Sequence, residues 1–315
     1  MNNRPWSRAE LNLLRDELRN KKKKQPIAQW AKSVVNKFLG RSAHSIRLKA
    51  NSIDDEGYAS PPQILLLDIE TLPMEVYVWG LKYNDYISPD NIIKDWSLAC
   101  WSAKWLFDPA IESHSVTPEE AINRNDDSIV VRIWELLDRA DIVITQNGKK
   151  FDLPKLNARF LKAGLPPPMY YQVIDTKEVL QKTFGLSSNK LDYATQFLGI
   201  DGKDDMEFQD WINCLQGGKA GQKALTKMRM YNEKDVLIME ELYVRIRPWI
   251  KGHPNLNLYS IGKTNVCPNC GDIHLIWSGT YKTGAGLYRA FRCSRCGAIG
   301  RSTKKQFQVK GSLVQ

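Results

Sequence analysis

Residues 64–70, which read ILLLDIE, carry the strongest indication of the fold. This short, nearly continuous apolar run predicts a buried central strand of an α/β sheet. Asp68 and Glu70 lie two residues apart, so their side chains leave the strand on the same face. Two carboxylates on a buried strand are costly unless a cation compensates their charge. Because leucines precede the pair and Pro73 follows it, we expect it at the carboxyl end of the strand, where α/β sites usually lie, rather than at a strand end in solvent.

Strand and helix patterns alternate around this stretch. Residues 98–105 predict a second strand, and residues 141–145 predict another buried one. Helical spacing of apolar residues predicts helices over 129–137, 153–163, 191–198 and 224–245. This order of elements predicts an α/β fold, with a mixed sheet flanked by helices. Residues 202–222 are interpreted as an insertion that could form a lid or face the substrate.

Two further acidic motifs follow at the ends of predicted elements. Asp152 comes after the loop 146–151, where a strand gives way to a helix, and its default interpretation is a helix cap. Tyr231 and Asp235 lie four residues apart on the last predicted helix and therefore on one face of it. Alone, such a pair is more often a surface hydrogen bond than a catalytic unit. Each motif is weak in isolation, and the prediction rests on their order, spacing and element type taken together.

The three motifs together resemble those of a known family. DIET at 68–71, NGKKFD at 147–152 and YNEKD at 231–235 resemble the DEDD exonucleases of the DnaQ-like, ribonuclease H-like superfamily. The resemblance spans residues 63–250 and includes Ile174-Asp175-Thr176, which precedes a helix. It implies an RNase H-like fold and hydrolysis of phosphodiester bonds from a 3′ end, with release of nucleoside monophosphates.

The residue four positions before the last aspartate separates a tyrosine type of this family from a histidine type. No histidine lies between His114 and His253, and Tyr231 occupies the position in this sequence. The chain therefore resembles the tyrosine type, to which polymerase proofreading domains belong.

The resemblance also implies a site for two metal ions. In such sites, ions about 4 Å apart clamp the attacking and leaving oxygens of an in-line displacement. Asp68 would bridge both ions, while Glu70 and Asp235 would lie on the side of the nucleophile. Asp152 would hold the second ion directly or through water, and Tyr231 would orient the attacking water. Carboxylate oxygens with open water positions suit Mg²⁺ or Mn²⁺.

Four of the six cysteines form two close pairs, Cys267/Cys270 and Cys293/Cys296. In a reducing compartment such pairs indicate a metal rather than disulfides, and four thiolates suit one structural Zn²⁺. The pairs are separated by 22 residues, and residues 273–292 between them predict a hairpin. The whole resembles a zinc ribbon, in which zinc stands in for a core too small to fold alone.

The N-terminal residues predict three short helices. The first follows Ser7 as N-cap and carries Leu11, Leu14 and Leu18; the second would bury Ile27, Trp30, Ala31, Val34 and Val35; the third covers 42–51. Trp6, Trp30 and the sequence GRSAHSIRLKAN at 40–51 resemble a Myb/SANT-like or homeodomain-like helix-turn-helix unit. The resemblance implies that the third helix reads duplex DNA. The candidate nucleic-acid contacts are Arg41, Ser42, Arg47 and Lys49. A three-helix bundle that binds another protein is the alternative.

The formal net charge of +10 is divided unevenly along the chain. Residues 1–60 carry a net +7, residues 255–315 a net +8, and residues 61–254 a net −5. Basic ends suit a polyanion such as nucleic acid, whereas an acidic centre suits carboxylates gathered around a divalent metal. Solvated surface charge would explain the total, but less easily this segregation.

Basic and aromatic side chains alternate in the predicted ribbon, a mixture that can stack on bases and contact phosphates. Tyr281, Arg289 and Arg292 are the candidate nucleic-acid contacts there. Alternatively, the aromatic residues only pack the hairpin and the ribbon docks a protein. In the central part, the resemblance offers Asn147 as a contact to the terminal nucleotide.

These observations predict a helix-turn-helix domain at 1–53, a linker at 54–62, an RNase H-like exonuclease domain at 63–252 and a zinc ribbon at 253–315. The predicted function is a 3′–5′ exonuclease of DNA, acting on single-stranded 3′ ends and also on duplexes. DNA is preferred because the N-terminal unit resembles a duplex reader. The alternatives are a 3′–5′ exoribonuclease and a catalytically inactive nucleic-acid-binding or regulatory protein on the same fold.

The sequence also predicts where the protein works. It has neither an apolar run of the roughly 18 residues that a membrane span needs nor a signal peptide, so we expect a cytoplasmic protein. The combination of parts resembles nucleases of phages and prokaryotes. Protein partners from a replication or repair system are compatible with such a role.

Overall fold

The computed structural model of the chain describes residues 10, 13, 14, 17, 21, 25–38, 40–51, 62–80, 87–200, 206–259, 265–284 and 286–307. Contacts between residues divide the chain into two compact units. We call residues 63–245 the central unit, and residues 1–62 together with 246–315 the flanking unit. The finer domain boundaries given above stay predictions.

A five-stranded mixed sheet forms the centre of the central unit. Its strands, in spatial order, are β5 (Ile111–Ser115), β4 (Ser97–Trp105), β1 (Ile64–Leu72), β6 (Ile142–Thr145) and β7 (Gln172–Asp175). β1 runs antiparallel to β4 and parallel to β6. A small two-stranded sheet pairs β2 (Glu75–Val76) with β3 (Ile92–Lys94).

Seven α-helices are described in the central unit. They are α3 (Pro118–Asn123), α4 (Asp127–Arg139), α5 (Asp152–Lys162), α6 (Thr176–Thr183), α7 (Leu191–Phe197), α8 (Phe208–Asn213) and α9 (Gly218–Ile246). Four of them occupy the ranges predicted from apolar spacing, and α8 lies in the predicted insertion. The mixed sheet with flanking helices confirms the predicted α/β fold class.

β1 is central because its side chains are buried on both faces of the sheet. Leu65, Leu66 and Leu67 are fully buried, as a continuous apolar run requires of a strand covered by helices. The pairing of β1 with β4 shifts register between Glu70 and Thr71, directly after the two acidic positions. Such bulges bend a strand and re-aim its side chains, often beside functional sites.

The flanking unit contains α1 (Ile27–Val34) and α2 (Ala43–Asn51) in its N-terminal part. These match the second and third predicted helices. Of the predicted first helix, Glu10, Leu13, Leu14 and Glu17 are helical, while its other positions and the predicted linker up to residue 61 lie outside the described residues. A small apolar core joins the helices through Leu14, Trp30, Ala31, Val34, Phe38, Ile46 and Ala50. The DNA-binding role of this all-α part stays a prediction.

The C-terminal part of the flanking unit is a three-stranded antiparallel sheet of β8 (Leu275–Thr283), β9 (Gly286–Cys293) and β10 (Ile299–Phe307). β8 and β9 confirm the predicted hairpin, whereas β10 is not predicted by the sequence pattern. The cluster of four cysteines fits a zinc ribbon. Among the described residues, no helix is both long and apolar enough to cross a membrane.

Candidate active site and metal centres

Three carboxylates from two distant parts of the chain meet in the central unit. Asp68 and Glu70 lie on β1 and Asp235 lies on α9, and each offers a carboxylate oxygen within 4.8 Å of the other two. Asp235 is buried, whereas Asp68 and Glu70 are half-buried. Because like charges this close repel one another, the group favours a bound divalent cation.

Apolar packing brings α9 to β1. Leu225 and Met228 of the helix belong to the same buried core as Leu65, Leu67 and Ile69 of the strand. Tyr231 and Asp235 follow Met228 by about one and two turns, so they extend the same side of the helix toward the end of β1. The order of apolar and acidic residues along α9 therefore places Asp235 against the β1 pair.

Asn232 holds one of these carboxylates in place. Its Nδ2 donates a hydrogen bond of 2.6 Å to Oδ2 of Asp68, across 164 residues of sequence. Asn232 is fully buried, and its Oδ1 has no hydrogen-bond partner among the described residues. A buried amide oxygen without a partner is unfavourable, so this position is better explained by orientation of Asp68 than by stability. The motif analysis does not single out Asn232.

Asp152 lies at the first position of α5, and its N-cap is Phe151. Its Oδ1 accepts a hydrogen bond of 3.1 Å from the backbone N–H of Ile69, so the carboxylate joins α5 to the middle of β1. Burial raises the pKa of Asp152 to about 7, against the effect of this hydrogen bond and with a further contribution from the charge of Asp175. A cation bound beside it would favour the ionised form. Asp152 is thus the first residue of α5 rather than its N-cap, and its carboxylate also bonds β1.

One cavity connects the predicted residues of the central unit. It has a volume of about 490 Å³ and is lined by six of them: Asp68, Glu70, Asn147, Asp152, Tyr231 and Asp235. Lys177 and Lys190 also line it and supply positive charge beside the carboxylates. An acidic centre for a cation with lysines nearby suits a phosphate-containing substrate.

Asp175 fixes the loop that carries Asn147. One of its oxygens accepts from the N–H of Asn147 at 2.9 Å and the other from the N–H of Lys149 at 3.2 Å. The same carboxylate caps the start of α6 by accepting from the N–H of Lys177 and Glu178. Asn147 itself has a φ of 68°, in the left-handed region that asparagine tolerates better than most residues. The resemblance places Asp175 before a helix, and the structure adds this anchoring role.

Position 148 requires glycine, because the loop has no space for a side chain there. A Cβ atom at this position would lie 2.4 Å from both Cβ and Oγ1 of Thr145, which is fully buried. We expect Gly148→Ala to lower the free energy of unfolding by about 1–3 kcal/mol, as overpacking usually does, in urea titrations followed by circular dichroism.

Gly185→Ala is the matched control, because nothing lies within 4 Å of a Cβ placed there. It should leave stability unchanged or raise it slightly, since alanine restricts the unfolded chain. Equal stability of the two variants would contradict the crowding at Gly148.

The four cysteines of the flanking unit form a second candidate metal centre. Their sulfur atoms lie within 4.8 Å of one another, with 3.7 Å between Cys267 and Cys296 and 3.6 Å between Cys270 and Cys293. These separations exceed a disulfide bond of about 2.05 Å. They suit a tetrahedral Zn²⁺ with Zn–S bonds of about 2.3 Å, for which sulfur pairs lie about 3.8 Å apart. The residues therefore fit zinc.

The predicted nucleic-acid contacts of the N-terminal helices differ in burial and in hydrogen-bond partners. The guanidinium of Arg41 donates to both carboxylate oxygens of Glu10, at 2.9 and 3.0 Å, and its side chain is 3% exposed. A phosphate contact by Arg41 would require this ion pair to break. Ser42 accepts from the N–H of Ser45 at the start of α2. The half-buried Arg47 and Lys49 lie on α2.

The predicted contacts of the ribbon are exposed. Tyr281 is 41% exposed and pairs with Tyr288 across β8 and β9. The guanidinium of Arg289 lies 5.1 Å from the ring centre of Trp277. Arg292 donates to the carbonyl oxygen of Gly297 at 3.1 Å. Nucleic-acid binding by these residues stays a prediction.

Part of the chain is similar in sequence to a known superfamily. Residues 111–247 match the RNase H superfamily, and they include Asn147, Asp152, Tyr231 and Asp235 but not β1. No curated protein sequence matches the chain. Among solved structures, the chain is similar to the family B DNA polymerase from the hyperthermophilic archaeon Pyrobaculum calidifontis, with a TM-score of 0.44 and 13% identity over 74% of this chain. The match covers 32% of that polymerase. The similarity to the RNase H superfamily thus covers 137 of the 315 residues.

Proposed function

We propose that the protein is a metal-dependent nuclease that removes nucleotides one at a time from the 3′ end of DNA. The observation that carries the proposal is the meeting of Asp68 and Glu70 from β1 with Asp235 from α9, within 4.8 Å, beside Asp152 in one cavity. The RNase H superfamily match supports nuclease chemistry. The resemblance of the motifs to tyrosine-type DEDD exonucleases supports the 3′-to-5′ direction.

Asp68, Glu70 and Asp235 would hold one divalent cation, and Asp68 with Asp152 would hold a second. Bound there, two Mg²⁺ or Mn²⁺ ions supply the charge that stabilises the attacking and leaving oxygens of an in-line displacement. Tyr231 lines the same cavity, where its hydroxyl can position a water for attack. Lys177 and Lys190 would hold the phosphates, and Asn147 would contact the terminal nucleotide.

A cleavage assay tests this proposal directly. The substrates are 5′-labelled and 3′-labelled single-stranded DNA, duplex DNA and matched RNA, with Mg²⁺, with Mn²⁺ or without either. We expect a metal-dependent ladder from 5′-labelled DNA and early release of a labelled mononucleotide from 3′-labelled DNA. Shortening of RNA alone would replace the DNA assignment with an exoribonuclease. Binding without cleavage of any substrate would contradict the nuclease proposal.

Asn232 should act as a positioning residue for Asp68. We expect Asn232→Leu, which keeps the volume and removes the hydrogen bond, to lower kcat and the affinity for Mn²⁺ by about 10–100-fold, as loss of a partner that orients a metal ligand usually does. Mn²⁺ titration by calorimetry measures the second effect independently of cleavage.

Gln222→Leu is the control, because it changes an exposed amide on the same helix, α9. It should leave both quantities unchanged. If Asn232→Leu folds and binds Mn²⁺ as tightly as the unmodified protein, Asn232 does not position the metal ligand.

A further inference from the structure

The zinc-ribbon part of the flanking unit contains a groove with a volume of about 600 Å³. Its floor is formed by Trp277 of β8 and Phe291 of β9, which are paired across the two strands. The ring centres lie 5.2 Å apart in an edge-to-face arrangement. Phe291 is buried, whereas Trp277 is half-buried, so part of the indole is open to solvent.

The floor is shaped by a glycine on the third strand. Gly300 of β10 pairs with Phe291, and a Cβ at Gly300 would lie 2.3 Å from Cζ of that ring. The phenyl ring therefore lies over a position that only glycine leaves free. This packing fixes Phe291, which in turn supports the indole of Trp277.

The rim of the groove is basic. Arg289, Arg301, Lys304 and Lys305 line it, and all four side chains are exposed. None of the described residues that line the groove is acidic. Asp272, the one acidic residue in 255–315, instead contacts His274 and Arg295. The groove thus complements a polyanion.

A bulge in β10 adds polar groups to one side. Arg301 pairs with Ala290, and Lys305 pairs with Tyr288. Three residues of β10 therefore lie opposite a single residue of β9 between these two pairs. The residues between them, Ser302 to Lys304, line the groove. Bulges leave backbone groups outside the ladder, where they can bond a ligand.

We propose that this groove binds single-stranded nucleic acid, with a base stacked on Trp277 and phosphates held by the cations of the rim. The half-open indole of Trp277 and the guanidinium of Arg289, which lies over its ring at 5.1 Å from the ring centre, are planar groups on which an unstacked base can stack. Phosphates explain why four cations line the groove without an acidic residue. A duplex hides the faces of its bases, so the single strand is the form that fits. This binding goes beyond the proposed nuclease activity and does not depend on it, since all the residues lie outside the catalytic cavity.

The test measures binding of fluorescein-labelled oligothymidylate and oligouridylate by anisotropy. The protein is the full chain with its zinc, carrying Asp68→Asn so that the strand stays intact. The groove variant is Arg289→Ala/Lys304→Ala/Lys305→Ala. The matched control, Lys251→Ala/Lys282→Ala/Arg295→Ala, removes the same charge from exposed residues of the flanking unit that do not line the groove.

We expect the groove variant to bind at least about tenfold more weakly and to lower the slope of log Kd against log salt by about 2, the loss of roughly three phosphate contacts to a single strand. The control should lose less than about threefold, because only non-specific attraction changes. Trp277→Leu, with an unchanged zinc content as evidence of folding, should also weaken binding about tenfold by loss of stacking.

Equal losses in the two triple variants would overturn the proposal, because charge alone would then explain binding. Undiminished binding by Trp277→Leu would also overturn it. A poly-glutamate peptide that binds as tightly as the oligonucleotide, and is lost in the groove variant, would assign the groove to an acidic protein segment. None of these outcomes depends on whether the protein cleaves DNA, so the groove and the nuclease proposal can fail separately.

Discussion

Asp68→Asn and Asp235→Asn are each expected to lower kcat for metal-dependent cleavage by about 10³-fold or more, because each removes several kcal/mol of transition-state stabilisation. Asparagine keeps the size of the side chain and retains one oxygen, so the hydrogen bond from Asn232 to residue 68 can persist. The loss should therefore come from weaker metal binding rather than from misfolding. Cleavage of 5′-labelled DNA under single-turnover conditions measures it.

The same variants should respond differently to metal in thermal unfolding. Without a divalent cation, each should melt at a higher temperature than the unmodified protein, because it relieves repulsion among three carboxylates within 4.8 Å. With Mg²⁺ or Mn²⁺ at 100 times Kd, the unmodified protein should gain about 2.7 kcal/mol, and the variants should gain much less.

Asp192→Asn provides the control for both measurements. Asp192 lines the same cavity but does not belong to the three-carboxylate group. Its cleavage rate should stay within a few-fold of that of the unmodified protein, and its stabilisation by metal should be unchanged. An Asp235→Asn protein with full activity and full stabilisation by metal would contradict the assignment of the cluster as the metal site.

The parts of the fold that the sequence predicts well are those with a local signal. β1 is apolar over consecutive residues, and four of the seven α-helices described in the central unit carry apolar residues at helical spacing, so these elements are visible without tertiary information. The weaker strands lack this signal. β5 is half-exposed, and β10 reads IGRSTKKQF, with basic and polar residues where a strand pattern would need apolar ones. Such strands are defined by the neighbours that they pair with.

The candidate site likewise has features that the sequence predicts and features that it does not. Acidic residues at recognisable element ends can be picked out from the sequence. Their supporting contacts cannot, because the hydrogen bond from Asn232 to Asp68 spans 164 residues and that from Asn147 to Asp175 spans 28. Arg41 shows the converse, since its charge suggests a phosphate contact while its partner in the fold is Glu10. A sequence pattern reports charge and periodicity, whereas pairing depends on the folded chain.

Cys270→Ser is expected to remove the zinc and unfold the ribbon while the central unit stays folded. The buried core around the metal site consists of Cys267, Cys293 and Ala298, so two of its three residues are themselves predicted ligands. So small a core cannot offset the conformational entropy of ordering the ribbon, whereas zinc binding supplies about 10–16 kcal/mol in zinc-finger peptides. The metal content should fall from about one zinc ion per chain to none by mass spectrometry of the metal.

Limited proteolysis with mass-spectrometric mapping locates the unfolding. New cleavages should appear in 265–307, while residues 87–200 keep the protection seen in the unmodified protein. Cys214→Ala, which alters a buried thiol of the central unit, should leave the zinc content and the ribbon cleavages unchanged. A ribbon that loses zinc yet resists the protease would mean that its strands are held by packing rather than by the metal. The groove at Trp277 and Phe291 would then persist without zinc, so measuring oligonucleotide binding on the same zinc-free protein would separate the fold of the ribbon from its metal.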